Sequence, residues 1–479
     1  MSKIFVFAIG GTGSRVLRSL MMLMASGLKL NASQVIPIII DPDTGNQDLS
    51  RTIEALETYK AIQGTASKDG NSTGFFATPI ENIFSNQFPF RMNLKGVDGR
   101  KFREYIDFDS LDQDNKDFGN LLFSDYHLNL DMEVGFKGNP NLGSIVLNQF
   151  QGNADFNKFS LNFSQGDRIF IISSIHGGTG AAGFPLLVKN ILNAQANTPN
   201  HALIQNAIIG AITVLPYFML QAGEIKSQDF ISKTKAALEY YRGNLNNQLN
   251  SLYYIGYNNH LKAYPNNPGG TKQKNPAHFV ELASALALFD FMAQPDSTLN
   301  VKGARFMEFG TASNIDQKLT FDELDPTVKG QLRRPLSQFF LFSKYLDIQV
   351  RKSIEKQPWG MRGTEKTRIG SDFLNGDFFK NLEKFNKEFK VWINELANNS
   401  PAFSPFNIRV DENNLTGFIE NHPLAKKPIL KDNFILFDNH LNGCERNKVI
   451  SNQPREVKFL NVFFKATQEL LIKNYKIQS

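Results

Sequence analysis

The sequence holds a single cysteine, Cys444, among its 479 residues. A lone cysteine excludes an internal disulfide and a cluster of cysteines around a metal ion. The seven histidines are also few, and no two of them share the short helical spacing that brings two ligands onto one metal. Disulfide scaffolds and cysteine-based metal centres are therefore excluded, and nothing in the histidine pattern favours a histidine-based one.

Long apolar runs are missing as well. No run reaches the roughly 18 residues of a membrane span, and the longest candidate, AIIGAITVLPYFML, is interrupted by Pro216. Near the N-terminus Lys3 precedes an apolar run, but glycines and Arg15 interrupt this run before a signal-peptide core forms. The sequence therefore predicts a cytoplasmic protein with no membrane partner.

Positive charge is in only small excess. The net charge of +6 is mild for this length, and the basic residues form no long run, so no nucleic-acid partner is expected. Hydrophobic residues make up 41% of the chain and charged residues 20%, which is the usual balance of a globular protein. Because the length exceeds the roughly 250 to 300 residues at which a single core stops growing, two domains are expected.

Strand-like and helix-like segments alternate in the first half of the chain. IFVFAI is a short apolar run, typical of a strand that is buried on both faces. SRVLRSLMMLMAS follows with apolar side chains at helical spacing and with Ser14 as its potential cap. VIPIII is the next strand, and it ends in the acidic turn DPDTGNQD. The pattern predicts an α/β fold with a Rossmann-like, mainly parallel sheet covered by helices.

The predicted organisation has three parts. Residues 1–276 form the sheet domain, with an insertion at about 56–136 where the periodicity is lost. Residues 277–294 are apolar nearly all round, which is typical of a central helix buried between two layers. Residues 297–479 contain several helix-like stretches and few clean strands, and so predict a largely helical α+β C-terminal domain.

Two strands run directly into glycine turns that open helices. The first turn is AIGGTGSR, around residues 10–13, and the second is HGGTGAAG, around residues 177–180. Such turns aim backbone N–H groups and a helix N-terminus at a phosphate. The first turn alone, with Asp41 after the next strand, fits equally a dinucleotide site and a turn that binds nothing. Two such turns favour a ligand with several phosphates in a row, a nucleoside di- or triphosphate.

The order of these motifs resembles the tubulin and FtsZ superfamily of GTP-binding proteins, in a divergent bacterial form. HGGTGAA is similar to its GGTG signature, KGNPNLG to its third phosphate loop, and Asp41 with Asp43 to its second loop, which helps to hold Mg²⁺ through water. The resemblance implies a GTP/GDP site in which Asp43 lies beside the metal. The implied phosphate-site residues are Gly10, Gly11, Thr12, Gly13, Ser14, Asp41, Asp43, Gly138, Asn139, Pro140, His176, Gly177, Gly178, Thr179 and Gly180.

The resemblance also implies contacts to the rest of the nucleotide. Residues 213–216 match the loop near the ribose, and Glu224 matches an acidic contact to the sugar. Asn258 and Asn259 match the asparagine that reads the guanine edge. Phe279 falls where the central helix offers an aromatic ring to the base, and its alternative role is plain core packing.

Three positions depart from the family pattern. His176 replaces the first small residue of the signature and Ala182 its last glycine. His176 is expected either to contact a phosphate or to fill the turn for structural reasons. Ala283 stands where the family has its second guanine-reading asparagine, and because one such contact contributes to discrimination, guanine specificity stays open.

Residues for hydrolysis can be placed in two registers. In the family, acids on the loop after the central helix enter the nucleotide site of the next subunit and position the attacking water. STLNVKGAR fits the spacing but has Lys302 and Arg305 where carboxylates belong, which predicts a poor GTPase. LTFDELD keeps the acids but requires an insertion, and its alternative role is to cap the following helix. The candidate catalytic residues of this second register are Asp322, Glu323 and Asp325.

The leading hypothesis is a GTP-binding cytoskeletal or scaffold protein that associates head to tail with copies of itself into filaments. Slow, assembly-dependent GTP hydrolysis is part of this hypothesis that the two registers leave open. One alternative is a non-hydrolysing nucleotide-binding scaffold or sensor whose C-terminal domain binds other proteins. Another is a Rossmann-type oxidoreductase, which uses the first glycine turn and leaves the second and third unexplained.

Overall fold

The structure of the chain is a computed structural model. It describes residues 2–67, 72–223, 229–245, 247–257, 263–267, 269–300, 303, 305–308, 318–411, 415–424 and 433–477. None of the helices in these ranges is long and apolar enough to cross a membrane.

Parallel strands build the centre of the molecule, as the alternating segments predict. The strands of the described ranges are β1 (Lys3–Ile9), β2 (Gln34–Ile40), β3 (Arg168–Ser174), β4 (Ile208–Val214), β5 (Met219–Leu220), β6 (Ser251–Ile255), β7 (Ala263–Tyr264) and β8 (Arg305–Glu308). Six of them form one sheet in the order β2-β1-β3-β4-β6-β8, and every neighbouring pair is parallel. β5 and β7 form a separate parallel pair.

Helices connect these strands and cover the sheet. In the described ranges they are α1 (Gly10–Ala25), α2 (Gln47–Ala66), α3 (Phe102–Tyr105), α4 (Gln113–Leu122), α5 (Asp125–Leu128), α6 (Pro140–Val146), α7 (Ala154–Asn162), α8 (Gly178–Leu192), α9 (His201–Gln205), α10 (Asp229–Asn244), α11 (Phe279–Ala293), α12 (Asp296–Leu299), α13 (Pro326–Ile348), α14 (Val350–Ser353), α15 (Pro358–Met361), α16 (Asp377–Ala397), α17 (Asn433–Glu445), α18 (Lys448–Ser451) and α19 (Arg455–Leu470).

Side chains of each strand alternate between two hydrophobic cores. On β1, Val6 lies in the core that includes α1, α2 and α11. Its neighbour Phe7 lies in the opposite core, where its ring centroid is 5.0 Å from that of Phe159 in α7. Because both faces of the sheet are covered, its strands are apolar throughout rather than at alternate positions. The predicted α/β class is confirmed.

The C-terminal helices pack on one of these two cores. Phe339 of α13 contacts Phe389 of α16 with ring centroids 4.7 Å apart, and both belong to the core that includes α1. Trp392 of α16 donates a hydrogen bond to Ser19 Oγ of α1 at 3.2 Å. The largely helical character predicted for this region is confirmed in its described residues, and the domain boundaries stay a prediction. β8, which follows the central helix α11, returns to the edge of the sheet beside β6.

The predicted insertion begins inside α2 and continues along the edge of the sheet. Ile80 and Arg91 make isolated parallel bridges to Val35 and Ile39 of β2. The short helices α3, α4 and α5 follow and lead back to the third glycine turn at residues 137–143. This segment therefore connects the open edge of the sheet with the region of the predicted site.

Candidate functional site

The strand order reverses between β1 and β3. The chain leaves β1 for β2 on one side and places β3, β4, β6 and β8 on the other. In open parallel sheets a crevice forms at such a point, outside the carboxyl ends of the strands, because the two connections leave toward opposite faces. Here α1 packs in one core and α8 in the other. The two glycine turns that begin these helices therefore face each other across the crevice.

The first glycine turn lies directly against the second. Gly10 has φ = +70°, and a Cβ built on it would lie 3.3 Å from Thr179 Cβ. A side chain would thus be strained there and would also press on the second turn. At Gly13 a Cβ would lie 2.7 Å from the carbonyl carbon of Ala8, so glycine allows α1 to start close to β1. Ser14 is fully buried in the same turn.

The second turn lies against the third. A Cβ built on Gly178 would lie 2.9 Å from Phe136 Cβ, 3.1 Å from the backbone nitrogen of Asn139 and 3.2 Å from that of Gly138. Asn139 caps α6 by accepting hydrogen bonds from the backbone of Asn141 and Leu142, and Pro140 is the first residue of that helix. The three turns, which are far apart in the sequence, therefore converge on one place.

Two long helices begin at this place. The described residues give no side-chain cap to the N-terminus of α1, which has 16 residues, or of α8, which has 15. The first N–H groups of a helix have no partner within the helix, and they carry the positive end of its dipole. Both N-termini are thus available to a polyanion between the turns.

The turns border a cleft that is open to solvent. The predicted residues that line the cleft are Gly10, Gly11, Thr12, Asp41, Asp43, Gly138, His176, Gly177, Gly178, Thr179 and Gly180. Gly13, Ser14, Asn139 and Pro140 belong to the same turns without lining it.

Two buried carboxyl groups lie at one end of the cleft. Asp41 Oδ1 accepts a hydrogen bond from the backbone of Asp43 at 3.1 Å, and Asp43 Oδ2 accepts one from the backbone of Gly270 at 2.7 Å. Asp43 Oδ1 is buried and makes no hydrogen bond of normal geometry among the described residues, although the backbone of Gly45 and Asn46 lies close enough to this carboxyl group to lower its pKa. Burial, followed by the neighbouring charge of Asp43, raises the pKa of Asp41 to about 7, and burial also raises the pKa of Asp43.

This donor set fits a hard divalent cation. Oxygen ligands and few protein contacts are what Mg²⁺ uses when phosphates complete its shell. Asp43 Oδ1 is a carboxylate oxygen of this kind beside the converging turns, with Asp41 next to it. No group of three or more histidines, cysteines and acids within the described ranges could hold a metal by itself. A cation bound here would therefore depend on a phosphorylated ligand.

His176 faces the cleft as a neutral side chain. It is only 3% exposed, and its Nδ1 has no hydrogen-bond partner in the described structure. Its ring centroid lies 4.8 Å from that of Phe230 and 5.6 Å from that of Phe218, and both phenylalanines line the cleft. Burial, followed by the positive charge of Arg15, lowers the pKa of His176 to about 3. The imidazole therefore offers the cleft a neutral hydrogen-bonding group beside two aromatic rings.

Arg15, one helical turn into α1, also lines the cleft, but its charge is already compensated. Its guanidinium donates to Glu281 Oε1 at 2.6 Å, to the Tyr217 hydroxyl at 2.6 Å and to Asp48 Oδ2 at 3.3 Å. A buried arginine with two carboxylate partners brings little net charge to a ligand. The backbone N–H groups are therefore the main donors that the turns offer to phosphate.

The predicted base contact on the central helix does not reach the cleft. Phe279 is buried, and its ring centroid lies 5.2 Å from that of Phe403, so the ring packs in the hydrophobic core. Ala283, one turn further along α11, is buried in the same core. These surroundings agree with the alternative role of Phe279 as a core residue.

The acids proposed for hydrolysis form hydrogen bonds with neighbouring residues at the start of α13. Asp325 caps the helix by accepting from the backbone of Thr327 at 2.8 Å. Glu323 accepts from the backbone of Thr320 at 2.6 Å, and Asp322 accepts from Lys329 Nζ at 2.6 Å. None of the three lines the cleft of this chain as the structure describes it.

Several predicted residues lie outside the described ranges. They are Glu224, Asn258, Asn259 and Lys302. The contacts proposed for them to the sugar, the base and the next subunit stay predictions.

The structure adds cleft residues that the sequence analysis did not identify. Phe218 follows β4 and Asn46 follows β2, so both lie after the carboxyl end of a strand, and that position was a usable signal. Gln273 reaches the cleft only through the fold. Asn46 Nδ2 donates to Gln273 Oε1 at 2.9 Å across a sequence separation of 227 residues. No local pattern indicates such a contact.

Comparison with known proteins gives matches to solved structures only. No family model matches the chain, and no curated protein matches it. The solved structures to which it is similar include CetZ2 from Haloferax volcanii as a GTPγS-bound protofilament, with 11% identity and a TM-score of 0.29. Others are CetZ from Methanosaeta thermophila, with 15% identity and a TM-score of 0.26, and an empty FtsZ dimer of M. jannaschii, with 16% and 0.27.

These matches are partial. They cover 62%, 53% and 53% of this chain, and 61%, 46% and 45% of the CetZ2, CetZ and FtsZ chains respectively. The chain thus spans about half the length of the structures it matches. Overlaps of this extent and TM-score carry no argument about function, which has to rest on the cleft itself.

Proposed function

We propose that the cleft binds a nucleoside di- or triphosphate, GTP or GDP by the resemblance stated above, in a tubulin/FtsZ-like manner. The observation that carries the proposal is the convergence of three glycine turns and two uncapped helix N-termini at the switch point of a parallel sheet. One turn suits one phosphate, whereas three turns around one cleft suit a chain of phosphates. A dinucleotide oxidoreductase would use only the first turn.

Each turn would contact the phosphates from a different side of the cleft. Gly10, Gly11 and Thr12 and the turn at 177–180 bring backbone N–H groups from opposite sides, and the Thr179 hydroxyl adds a side-chain donor. Gly138 closes the third side, where its carbonyl accepts a hydrogen bond from Lys233 Nζ at 2.8 Å. Because these donors are mostly backbone groups, they are positioned before the ligand arrives and pay little ordering cost.

Asp43 and Asp41 would hold Mg²⁺ with the phosphates. The cation, when bound, neutralises charge on the phosphate oxygens and orients them. The Oδ1 of Asp43, which makes no hydrogen bond of normal geometry among the described residues, is the atom that a cation or its water would satisfy. A bound cation would also lower the pKa values of both carboxyl groups, which burial raises.

The part of the nucleotide beyond the phosphates would lie along the aromatic side of the cleft. Phe218 and Phe230 present rings there, and His176 Nδ1 presents a neutral hydrogen-bonding atom. Rings of this kind stack on a base without selecting among bases. Phe279 is not expected to take part, and Asn258 and Asn259 remain candidates for reading the base edge.

Self-association head to tail, with GTP hydrolysis at the contact, follows from the resemblance. In this arrangement Asp322, Glu323 and Asp325 of one copy would enter the cleft of the next. In the structure these acids instead cap a helix and contact a lysine of their own chain. This favours the second candidate function, a nucleotide-binding scaffold or sensor that does not hydrolyse GTP. In that case the C-terminal helices would bind other proteins.

One experiment separates these functions. The protein is purified, denatured, and the released nucleotide identified by chromatography and mass spectrometry. Phosphate release and light scattering are then followed after addition of GTP and Mg²⁺. Turnover that rises with protein concentration together with scattering supports the assembling GTPase. A retained nucleotide without turnover or scattering supports the scaffold, and recovery of NAD or NADP contradicts both.

A further inference from the structure

One helix of the insertion exposes an apolar face. α4 contains no buried residue. Phe118 is 61% exposed, Leu121 84% and Leu122 54%, and Tyr126 at the start of α5 is 53% exposed. Large apolar side chains that cluster on one exposed helix face mark an interaction surface rather than a fold contact. We call this region, residues 107–131, the acidic surface.

The acidic surface is named for its charge. Residues 107–131 contain seven aspartates and one lysine, Lys116, for a net charge of −6 in a chain whose total is +6. All seven aspartates are exposed. The other residues of the chain therefore carry a net charge of +12. A partner for this surface should combine exposed apolar groups with positive charge.

The C-terminal region carries such a combination. Residues 351–368 contain six basic and two acidic residues, and residues 446–456 contain three basic and one acidic. The two segments lie side by side, because the backbone of Arg455 donates to the carbonyl of Lys366 at 3.3 Å. Met361 is 48% exposed and Val449 75%. Together these segments form the basic surface, and their own residues have a net charge of +6 around two exposed apolar side chains. Three of its arginines also pair with acids outside the segments, Arg351 with Glu383, Arg362 with Glu445 and Arg455 with Asp372.

We propose that the acidic surface of one copy docks on the basic surface of a second copy. The two surfaces have opposite net charge, and each exposes apolar side chains. Two acidic surfaces repel each other, as do two basic ones, so a two-fold contact of like surfaces is disfavoured. The contact is therefore heterologous, and each copy keeps one free surface of each kind for further copies.

This inference rests on the self-association in the proposed function but gives it a contact other than the entry of Asp322, Glu323 and Asp325 into the next cleft, because these acids precede the 23-residue helix α13 and the basic surface follows it. The cleft lies close to the acidic surface. Asn139 Nδ2 of the third glycine turn is 3.1 Å from His127 Nε2 in α5, and Lys137 Nζ lies 5.8 Å from the ring centroid of Tyr126. A copy seated on the acidic surface would thus stand next to the third turn, where a bound nucleotide can affect it.

Paired charge reversals test the contact. One variant carries Asp114→Lys and Asp117→Lys in the acidic surface, and the other carries Lys366→Glu and Lys448→Glu in the basic surface. Analytical ultracentrifugation of the full chain with GTP and Mg²⁺ is expected to show self-association of the wild type that weakens with salt. Each variant alone should associate at least about tenfold more weakly, because the net charge of the altered segment falls from −6 to −2 or from +6 to +2, which weakens the attraction between the surfaces. An equimolar mixture should regain association, because the unaltered basic surface of the first variant meets the unaltered acidic surface of the second.

A control variant carries Glu57→Lys and Asp377→Lys, two exposed positions outside both surfaces, and changes the net charge by the same amount as the acidic-surface variant. It should associate like the wild type. Nucleotide retention is measured for every variant, and unchanged retention shows that the proposed site is intact. Association that neither reversal weakens, or a mixture that fails to regain it, would overturn the proposed contact while leaving nucleotide binding in place. A wild type that stays monomeric at all concentrations contradicts a second copy as the partner, and points to another basic protein.

Discussion

Two short turns of this chain each contain several acidic residues but have different surroundings. DPDTGNQD follows β2, and LTFDELD precedes α13. In the first turn Asp43 is buried and its Oδ1 makes no hydrogen bond of normal geometry among the described residues. In the second turn Asp325 caps a helix and Asp322 pairs with Lys329 at 2.6 Å, so each acid has a local partner.

The two turns also differ in pKa. Burial raises the pKa values of Asp41 and Asp43, whereas the hydrogen bond from Lys329 lowers the pKa of Asp322. A buried carboxylate oxygen without a partner costs free energy unless a ligand or cation satisfies it. An acid that caps a helix has its partner already. The comparison favours the first turn over the second as the place where a bound group would be held.

The largest expected effect comes from a substitution that prevents a nucleotide from binding in the cleft beside the acidic turn DPDTGNQD. Gly178→Val would place side-chain atoms against Phe136 and the backbone of Gly138 and Asn139 and so close the phosphate cradle. We expect complete loss of nucleotide from the purified protein, measured by chromatography of the denatured sample. Gly64→Val in α2, where a Cβ meets nothing within 4 Å, is the matched control and should keep its nucleotide. Normal retention in Gly178→Val would refute the assignment of the cleft.

The next test exchanges a carboxylate for an amide in each turn. Asp43→Asn keeps the acceptor for Gly270 but removes the charge beside the phosphates. We expect the Mg²⁺-dependent part of nucleotide affinity to fall by about 10- to 100-fold, as for residues that orient a metal through its shell. Calorimetric titration with and without Mg²⁺ measures this change. Asp325→Asn in the second turn should leave the affinity unchanged, and an equal loss in both variants would remove the distinction between the turns.

A pH series sharpens the contrast between the buried cleft and the exposed helix cap. Burial lowers the pKa of His176 from 6.5 to about 3. Between these values the unfolded chain binds a proton that the folded protein does not, so stability present above pH 6.5 is lost as the pH falls toward 3. His176 alone should cost about 2 kcal/mol of unfolding free energy between pH 7 and pH 5.

The measurement for His176 is urea denaturation at the two pH values. His176→Asn removes the titrating group and keeps a polar atom near the position of Nδ1, so its loss on acidification should be smaller by that amount. His278, whose pKa burial also lowers, to about 4, contributes to both proteins and cancels in the comparison. An identical loss in wild type and variant would show that His176 is not held neutral in the folded protein.

The smallest effect is expected in the second turn. Asp325→Ala removes the acceptor for the backbone of Thr327 and should lower the unfolding free energy by about 1 kcal/mol, the usual contribution of a helix cap. Asp325→Asn keeps the cap and should lose only a fraction of this. Both variants should retain nucleotide like the wild type. Loss of nucleotide-dependent phosphate release in either variant, with stability unchanged, would instead support the hydrolytic role.

Most of the sheet could be predicted because short contiguous segments of the sequence determine its strands and turns. The apolar strands and the glycine turns at residues 10–13 and 177–180 are short contiguous patterns, and the structure has both turns between a strand and a helix. The position of Asp43 after β2 follows from the same rule, since strand ends meet at one edge of a parallel sheet. These predictions needed no knowledge of which helices pack together.

The rest of the site depends on contacts between distant segments. Phe279 has the aromatic character of a base contact, but α11 turns that face toward Phe403 in the core, 124 residues away. Gln273 has no distinctive sequence context and reaches Asn46 through the packing of its segment on the start of α2. Helical periodicity identifies a buried face without identifying what covers it.

The sequence by itself determined that this chain forms a parallel α/β sheet with phosphate-type turns, because strand burial and glycine turns are properties of a few neighbouring residues. Only the tertiary structure decided that three turns share one cleft and that His176 is held neutral beside Phe218 and Phe230. The physical reason is that burial and partner choice in the cleft are set by segments far apart in the sequence, and these two properties decide whether a polar group binds a ligand or stabilises the fold.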